Sequence, residues 1–161
     1  MSKVFVPIII GSKSDEAYAK MVSTNLKDYG VDSKIRVASA HKSIHHLLEI
    51  ITSYEKNKNV HVYITIAGRS NALSAVIDAN SIKPVIAYPV YSGAYSGADI
   101  FSSLRVPSGV APAVVLEPKT AALLALKILA IKDEILCERI KSIHKNNFNK
   151  IIEDDSVICA V

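Results

Sequence analysis

A chain of 161 residues that is 50% hydrophobic and 21% charged, with a net charge of +4, can build one packed core and is too apolar to be compositionally disordered. No apolar run approaches the roughly 18 residues a bilayer-spanning helix needs, so no membrane partner is expected. Met1-Ser2-Lys3 leads straight into Val4-Phe5-Val6, with Pro7 behind it and no small-residue cleavage site, which reads as a strand and not a signal peptide.

Taken in order, short apolar runs alternate with helical patterns. Val4 to Ile10 reads as a buried strand. Asp15 to Tyr29 is helical and stops at Gly30, a natural C-cap. Val31 to Val37 alternates as a second strand, and Ser43 to Lys56 is a helix with Leu47, Leu48 and Ile51 on one face. Val60 to Ile66 is a β-branched third strand. A helix over Ser70 to Asn80, a strand over Pro84 to Tyr88, a short helix over Gly97 to Leu104 and a strand over Ala113 to Leu116 follow. Two helices close the chain, Lys119 to Ile131 and Asp133 to Ile152.

This alternation predicts a single α/β domain over residues 1–161: a parallel five-stranded sheet in a flavodoxin-like three-layer α/β/α sandwich, strand order 2-1-3-4-5, with a C-terminal helical extension. Pro7 lacks the N–H a central strand needs, so it is expected at the first paired residue or at a bulge. Ala121 to Leu126 is apolar nearly all round, as in a helix buried on more than one side. The final helix also adds apolar surface that a five-stranded sandwich does not need, so the helices over about 119–152 are expected at contacts of a homo-oligomer; the plainer alternative is that both simply cover the sheet. The densest basic stretch, Lys141 to Lys150, reads as a solvated helix face, so no nucleic-acid partner is expected. Cys137 and Cys159 are far apart and lack metal-ligand spacing, which fits reduced thiols in a cytoplasmic protein.

In an open parallel sheet, ligands bind beyond the carboxyl ends of the strands, near the topological switch. Three loops answer that description. Gly11-Ser12-Lys13-Ser14-Asp15 follows the first strand and opens a helix. Its free N–H groups and the helix dipole favour a phosphate, with Ser12 and Ser14 adding hydroxyls and Asp15 suited to ribose hydroxyls. Ser14 or Asp15 would serve equally as a plain N-cap. The loop lacks the Gly-Lys-Ser/Thr ending of a Walker A motif. Ala38-Ser39-Ala40-His41-Lys42 follows the second strand and offers a histidine for acid/base work beside a lysine charge for phosphate. A surface histidine beside an ordinary lysine is the plainer alternative. His45 and His46 follow, but no carboxylate completes a ligand set, so no metal is expected. Ala67-Gly68-Arg69-Ser70-Asn71 follows the third strand. Gly68 allows close backbone approach, and Arg69, Ser70 and Asn71 bring donors suited to a carboxylate or CO₂, or else form only a capping turn.

Together the three loops resemble the PurE family of aminoimidazole ribonucleotide carboxylases. The family's Gly-Ser-x-Ser-Asp loop is matched at Gly11 to Asp15, and its Ser-Ala-His motif at Ser39-Ala40-His41. The third loop, Gly68-Arg69-Ser70-Asn71-Ala72-Leu73, resembles the class II signature. Ala72 stands where class I mutases carry a loop histidine, and Lys42 stands where class I has arginine. Ser103-Leu104-Arg105-Val106-Pro107-Ser108-Gly109 is similar to a further class II segment. The resemblance runs from about residue 4 to residue 156; Ala75 departs from a common glycine, and Pro7 interrupts the first strand.

The resemblance implies reversible carboxylation of 5-aminoimidazole ribonucleotide (AIR) by CO₂ to 4-carboxy-AIR (CAIR) in purine biosynthesis, with no cofactor. His41 would be the acid/base. Ser12, Ser14, Ser39 and Lys42 would bind the phosphate and Asp15 the ribose. Gly68, Ser70 and Asn71 would face CO₂ and the carboxylate, with Arg69 either binding or structural. A homo-octamer is implied as well. A class I type mutase acting on the N5-carbamate is the alternative, and a non-catalytic nucleotide-binding module a more distant one.

Overall fold

The structure is a computed structural model that describes residues 4–90 and 92–159. Met1-Ser2-Lys3, the first part of the reading against a signal peptide, lies outside the described residues. Five parallel strands make the sheet: β1 (Phe5–Ile10), β2 (Asp32–Val37), β3 (Tyr63–Gly68), β4 (Val85–Val90) and β5 (Ala113–Val114), in the spatial order β2-β1-β3-β4-β5. The helices are α1 (Glu16–Asp28), α2 (Ile44–Glu55), α3 (Ala72–Ala79), α4 (Phe101–Leu104), α5 (Pro118–Ala130) and α6 (Glu134–Cys159). This is the expected flavodoxin-like arrangement with its C-terminal helix.

Strand parity explains the two layers. Side chains alternate across a strand, so Val6, Ile8 and Ile10 of β1 join Ile64, Ile66, Ile86 and the buried stripe of α1 and α5 on one face. Phe5 and Ile9 join Tyr63, Val85, and Leu47, Ile51, Leu73 and Ile77 of α2 and α3 on the other. β1, β3 and β4 are apolar on both faces because helices cover both. β2, at the edge, is mostly exposed and carries Lys34 and Arg36, the charges that discourage edge-to-edge pairing.

Helix α1 ends as its sequence predicts. Gly30 has φ 75°; its N–H donates to the Lys27 carbonyl at 2.8 Å and Val31 N–H reaches back to Leu26 at 2.9 Å. That is the Schellman pattern, and it needs a residue at ease in the left-handed region.

Several expectations are corrected. Pro7 is neither the first paired residue nor at a bulge: β1 pairs β2 without interruption from Phe5 to Ile10, with Pro7 opposite Lys34. Its neighbours explain the tolerance. Phe5 and Gly11, of the same parity, donate to Asn59 and Ile66 on the β3 side, so the missing donor of Pro7 faces that side too. Pairing with β3 begins only at Ile8. β3 starts at Tyr63, where its ladder with β4 begins opposite Val85, and not at Val60, although Val60 and Val62 are buried. The last helix runs on to Cys159, seven residues past the expected end.

The apolar run in α5 is largely buried against its own sheet. Ala121, Ala122, Ala125 and Leu126 are fully buried within this one chain, and Leu123 and Leu124 pack on the same cluster. Leu123 and Leu124 stay partly exposed. α6 has no buried residue and exposes Ile135, Phe148, Ile151, Ile152, Val157 and Ile158.

Candidate active site

The carboxyl ends of β1, β2 and β3 adjoin, and backbone bonds hold their exits together. Ala38 N–H donates to Ile10 and Gly11 N–H to Ile66, each at 3.0 Å. The three following loops enclose one cleft of about 450 Å³. Ser12, Ser14, Asp15, Ser39, His41, Lys42, Gly68, Arg69 and Ser70 all line it, with Ala40, Ala67 and Leu73 as an apolar floor. The cleft lies at the switch between β1 and β3, where the chain winds in opposite directions across the sheet.

The first loop is organised by Ser12, which caps a 3₁₀ turn over Lys13–Asp15. Its Oγ accepts from Ser14 N–H at 3.3 Å and from Ser14 Oγ at 3.0 Å. Asp15 makes no side-chain cap bond to α1, so its carboxylate is available to the cleft. Burial raises the Asp15 carboxyl above its ordinary value, more than bonds from the Ser14 hydroxyl and the Ser12 backbone lower it. The second loop is a closed turn. Ser39 N–H donates to Ser43 Oγ at 2.9 Å, Ser43 N–H donates to the Ser39 carbonyl at 2.9 Å, and Lys42 N–H donates to Ser39 Oγ at 3.2 Å. His41 lies midway along it, exposed to the cleft. His45 and His46 are carried away on α2, where His46 Nδ1 is 3.9 Å from Glu49. Among the described residues, no three His, Cys, Asp or Glu side chains are grouped to hold a metal.

The third loop has the tightest backbone. A Cβ at Gly68 would lie 2.3 Å from the Val90 carbonyl oxygen of β4. Close approach there is to a neighbouring strand, a reason that sequence reasoning did not supply. Arg69 is left-handed at φ 59°, which costs a non-glycine residue about 1–2 kcal/mol. Asn71 does not line the cleft. It is 3% exposed, caps α3 by accepting from Ser74 N–H at 3.3 Å, and donates Nδ2 to Ser103 Oγ at 2.9 Å. Its side chain joins two of the segments that resemble class II enzymes, Gly68–Leu73 and Ser103–Gly109. Ser43, Asp99 and Ser102 went unnoticed in the sequence. Ser43 had a signal, a hydroxyl just ahead of a helix; Asp99 and Ser102 act on residues about thirty positions away and had none.

A doubly wound α/β protein with an anion-friendly cleft at its switch point is what fold and site define together. A family model described as AIR carboxylase matches residues 5–150, and the chain belongs to that family. It is 52% identical over 148 residues to a phosphoribosylaminoimidazole carboxylase of Archaeoglobus fulgidus, covering 92% of this chain and 81% of that protein. It is 47% identical over 151 residues to the phosphoribosylaminoimidazole carboxylase of Treponema denticola, covering 94% and 95%. The crystal structure of Treponema denticola PurE superposes with a TM-score of 0.93 at 46% identity, covering 96% of this chain and 98% of that one.

Proposed function

We propose that this protein is a class II AIR carboxylase, converting AIR and CO₂ reversibly to CAIR in purine biosynthesis. The observation that carries the reading is the meeting of all three motif loops in one cleft, together with family membership.

The chemistry follows from the groups available. The phosphate of AIR binds Ser12, Ser14, Ser39 and Lys42, where hydroxyls and a lysine charge suit a dianion. Asp15 accepts from the ribose hydroxyls. Ala40, Ala67 and Leu73 receive the flat ring. The exocyclic amine of AIR pushes electrons into the ring, and C4 attacks the carbon of CO₂, forming the C–C bond as one C=O pair becomes a carboxylate. CO₂ is small and binds weakly, so the site's task is proximity. Gly68 and Ser70 hold the carboxylate, with Arg69 adding positive charge nearby. His41 then takes the C4 proton, which restores the aromatic ring, and returns it in the reverse direction.

Class II over class I rests on Ala72 and Lys42, since neither supplies the loop histidine or arginine of the mutases. The protein works as a single domain in the cytoplasm, where Cys137 and Cys159, both free, stay reduced. It assembles as a homo-octamer. Phe148, Ile151, Ile152 and Ile158 of α6 are exposed at spacings of three, four and seven residues, a stripe that a second copy would cover. Light scattering that finds only a 17.4 kDa species would overturn the assembly. The activity is tested with AIR and bicarbonate in the absence of ATP. Formation of CAIR supports the reading; turnover of the N5-carbamate but not of AIR refutes class II.

A further inference from the structure

The most demanding backbone of the cleft is held by a distant stretch of chain that lines none of it. Arg69 N–H donates to Asp99 Oδ2 at 3.3 Å. The same carboxylate accepts from Ser92 N–H, at 3.2 Å on Oδ1 and 3.0 Å on Oδ2. One side chain thereby ties the turn after β4 to the loop after β3. Ser102 Oγ is placed to donate to the Arg69 carbonyl at 2.9 Å and to the Asp99 carbonyl at 2.8 Å, and it accepts from Asn71 N–H at 3.0 Å. It therefore bonds the backbone on both sides of Ser70. Neither Asp99 nor Ser102 is among the cleft-lining residues.

An arginine in the left-handed region persists only where its surroundings over-determine it. Both polar backbone atoms of Arg69 are engaged by this one segment, and Gly68 is pressed against Val90 from the other side. Without the clamp the loop would relax toward negative φ, and Ser70 would swing away from the cleft.

We infer that Asp99 and Ser102 are positioning residues for the carboxylation. They hold Arg69 left-handed so that the Gly68–Ser70 backbone meets the CO₂ end of the cleft. This rests on the carboxylase reading above, and it separates the cleft functionally: the first two loops hold the nucleotide, while the third is tuned from Ala98–Leu104.

The test is a set of variants, Ser102→Ala, Asp99→Asn and Asp99→Ala, assayed for AIR carboxylation over a bicarbonate series and for AIR affinity by calorimetry. Misplacement of a reacting group by about an ångström costs up to about 100-fold in rate. Asp99→Ala and Ser102→Ala should therefore lower kcat/KM for CO₂ by about 10–100-fold and leave AIR affinity within about twofold, with Asp99→Asn in between. Arg69→Gly supplies the rescue, because glycine adopts the left-handed region freely. In an Arg69→Gly background, Asp99→Ala should cost at least about threefold less than in the native background. Equal losses in both backgrounds, or parallel losses of AIR affinity, overturn the inference. Should the native protein fail to carboxylate AIR, the proposed function falls, and hydrogen exchange carries the test of the clamp. Asp99→Ala should then speed exchange of the Arg69 amide by about tenfold, the worth of one bond to a charged acceptor; unchanged exchange overturns the clamp as well.

Discussion

Replacing Gly68 by alanine tests whether the third loop is built on a backbone-to-backbone contact. The new Cβ would lie 2.3 Å from the Val90 carbonyl oxygen and must retreat by 0.7 Å to reach 3.0 Å, the closest distance real Cβ atoms tolerate. A flexible side chain would yield, but Val90 is the last rung of the β3–β4 ladder, opposite Gly68. Overpacking against such a partner costs about 1–3 kcal/mol. For a domain of this size that corresponds to a fall in Tm of roughly 2–12 °C at fixed protein concentration. The displacement falls on the residue before Arg69, so carboxylation should drop by about 10-fold or more while AIR affinity holds. Gly93→Ala is the control. Nothing lies within 4 Å of a Cβ there, and its stability should change by less than about 0.5 kcal/mol. Thermal melts at matched concentration and steady-state turnover are the assays. A Gly68→Ala protein that melts like the native one and turns over normally would refute the contact as the reason for glycine.

His41→Asn should leave AIR affinity nearly intact and slow carboxylation and decarboxylation alike by about 10²–10⁴-fold; turnover within about threefold of native would exclude acid/base work by His41. Lys42→Ala should weaken AIR much more than its dephosphorylated analogue, because the lysine charge acts on the phosphate, and equal losses in binding assays would count against that role. Glu55 tests the opposite end of the sheet. Burial alone would raise its carboxyl, but bonds from Ser81 Oγ at 2.7 Å and Tyr63 OH at 2.8 Å, the Lys83 charge and Ile82 N–H hold it below its ordinary value. A depressed carboxyl stabilises the fold above its unfolded pKa and loses that contribution as pH falls through the folded value. Glu55→Gln should therefore be less stable than native by about 1–2 kcal/mol near neutral pH. The gap should narrow below about pH 4, and a constant gap in melts across that range would contradict the linkage.

Much of the fold was legible because its signals are local. β1, β3 and β4 are continuous apolar runs, since a central parallel strand is covered on both faces, and right-handed crossovers leave few sheet orders, among them the flavodoxin-like one. The cleft was legible for a related reason. Loops at the carboxyl ends of adjacent strands must converge, so Ser12, His41 and Gly68 could be brought together from strand order alone. Where the reading missed, pairing or packing across the fold decided the outcome. The expected start of β3 at Val60 was wrong because its ladder with β4 begins only at Tyr63 and that with β1 only at Ile64. Asn71 read as a donor to the carboxylate, yet its amide turns inward to Ser103, thirty-two residues further along the chain.

By itself, then, the order of residues determined which segments become strands and helices and which loops share an end of the sheet. Both depend on periodicity and on the fixed hand of the chain. Tertiary structure alone decided how those loops are held. Whether α5 is buried by its own sheet, whether Gly68 answers to a ligand or to Val90, and whether Arg69 is fixed left-handed by Asp99 and Ser102 are matters of contact between distant residues. A single sequence carries no local signature of such contacts, because each partner taken alone is an ordinary glycine, serine or aspartate on a polar loop.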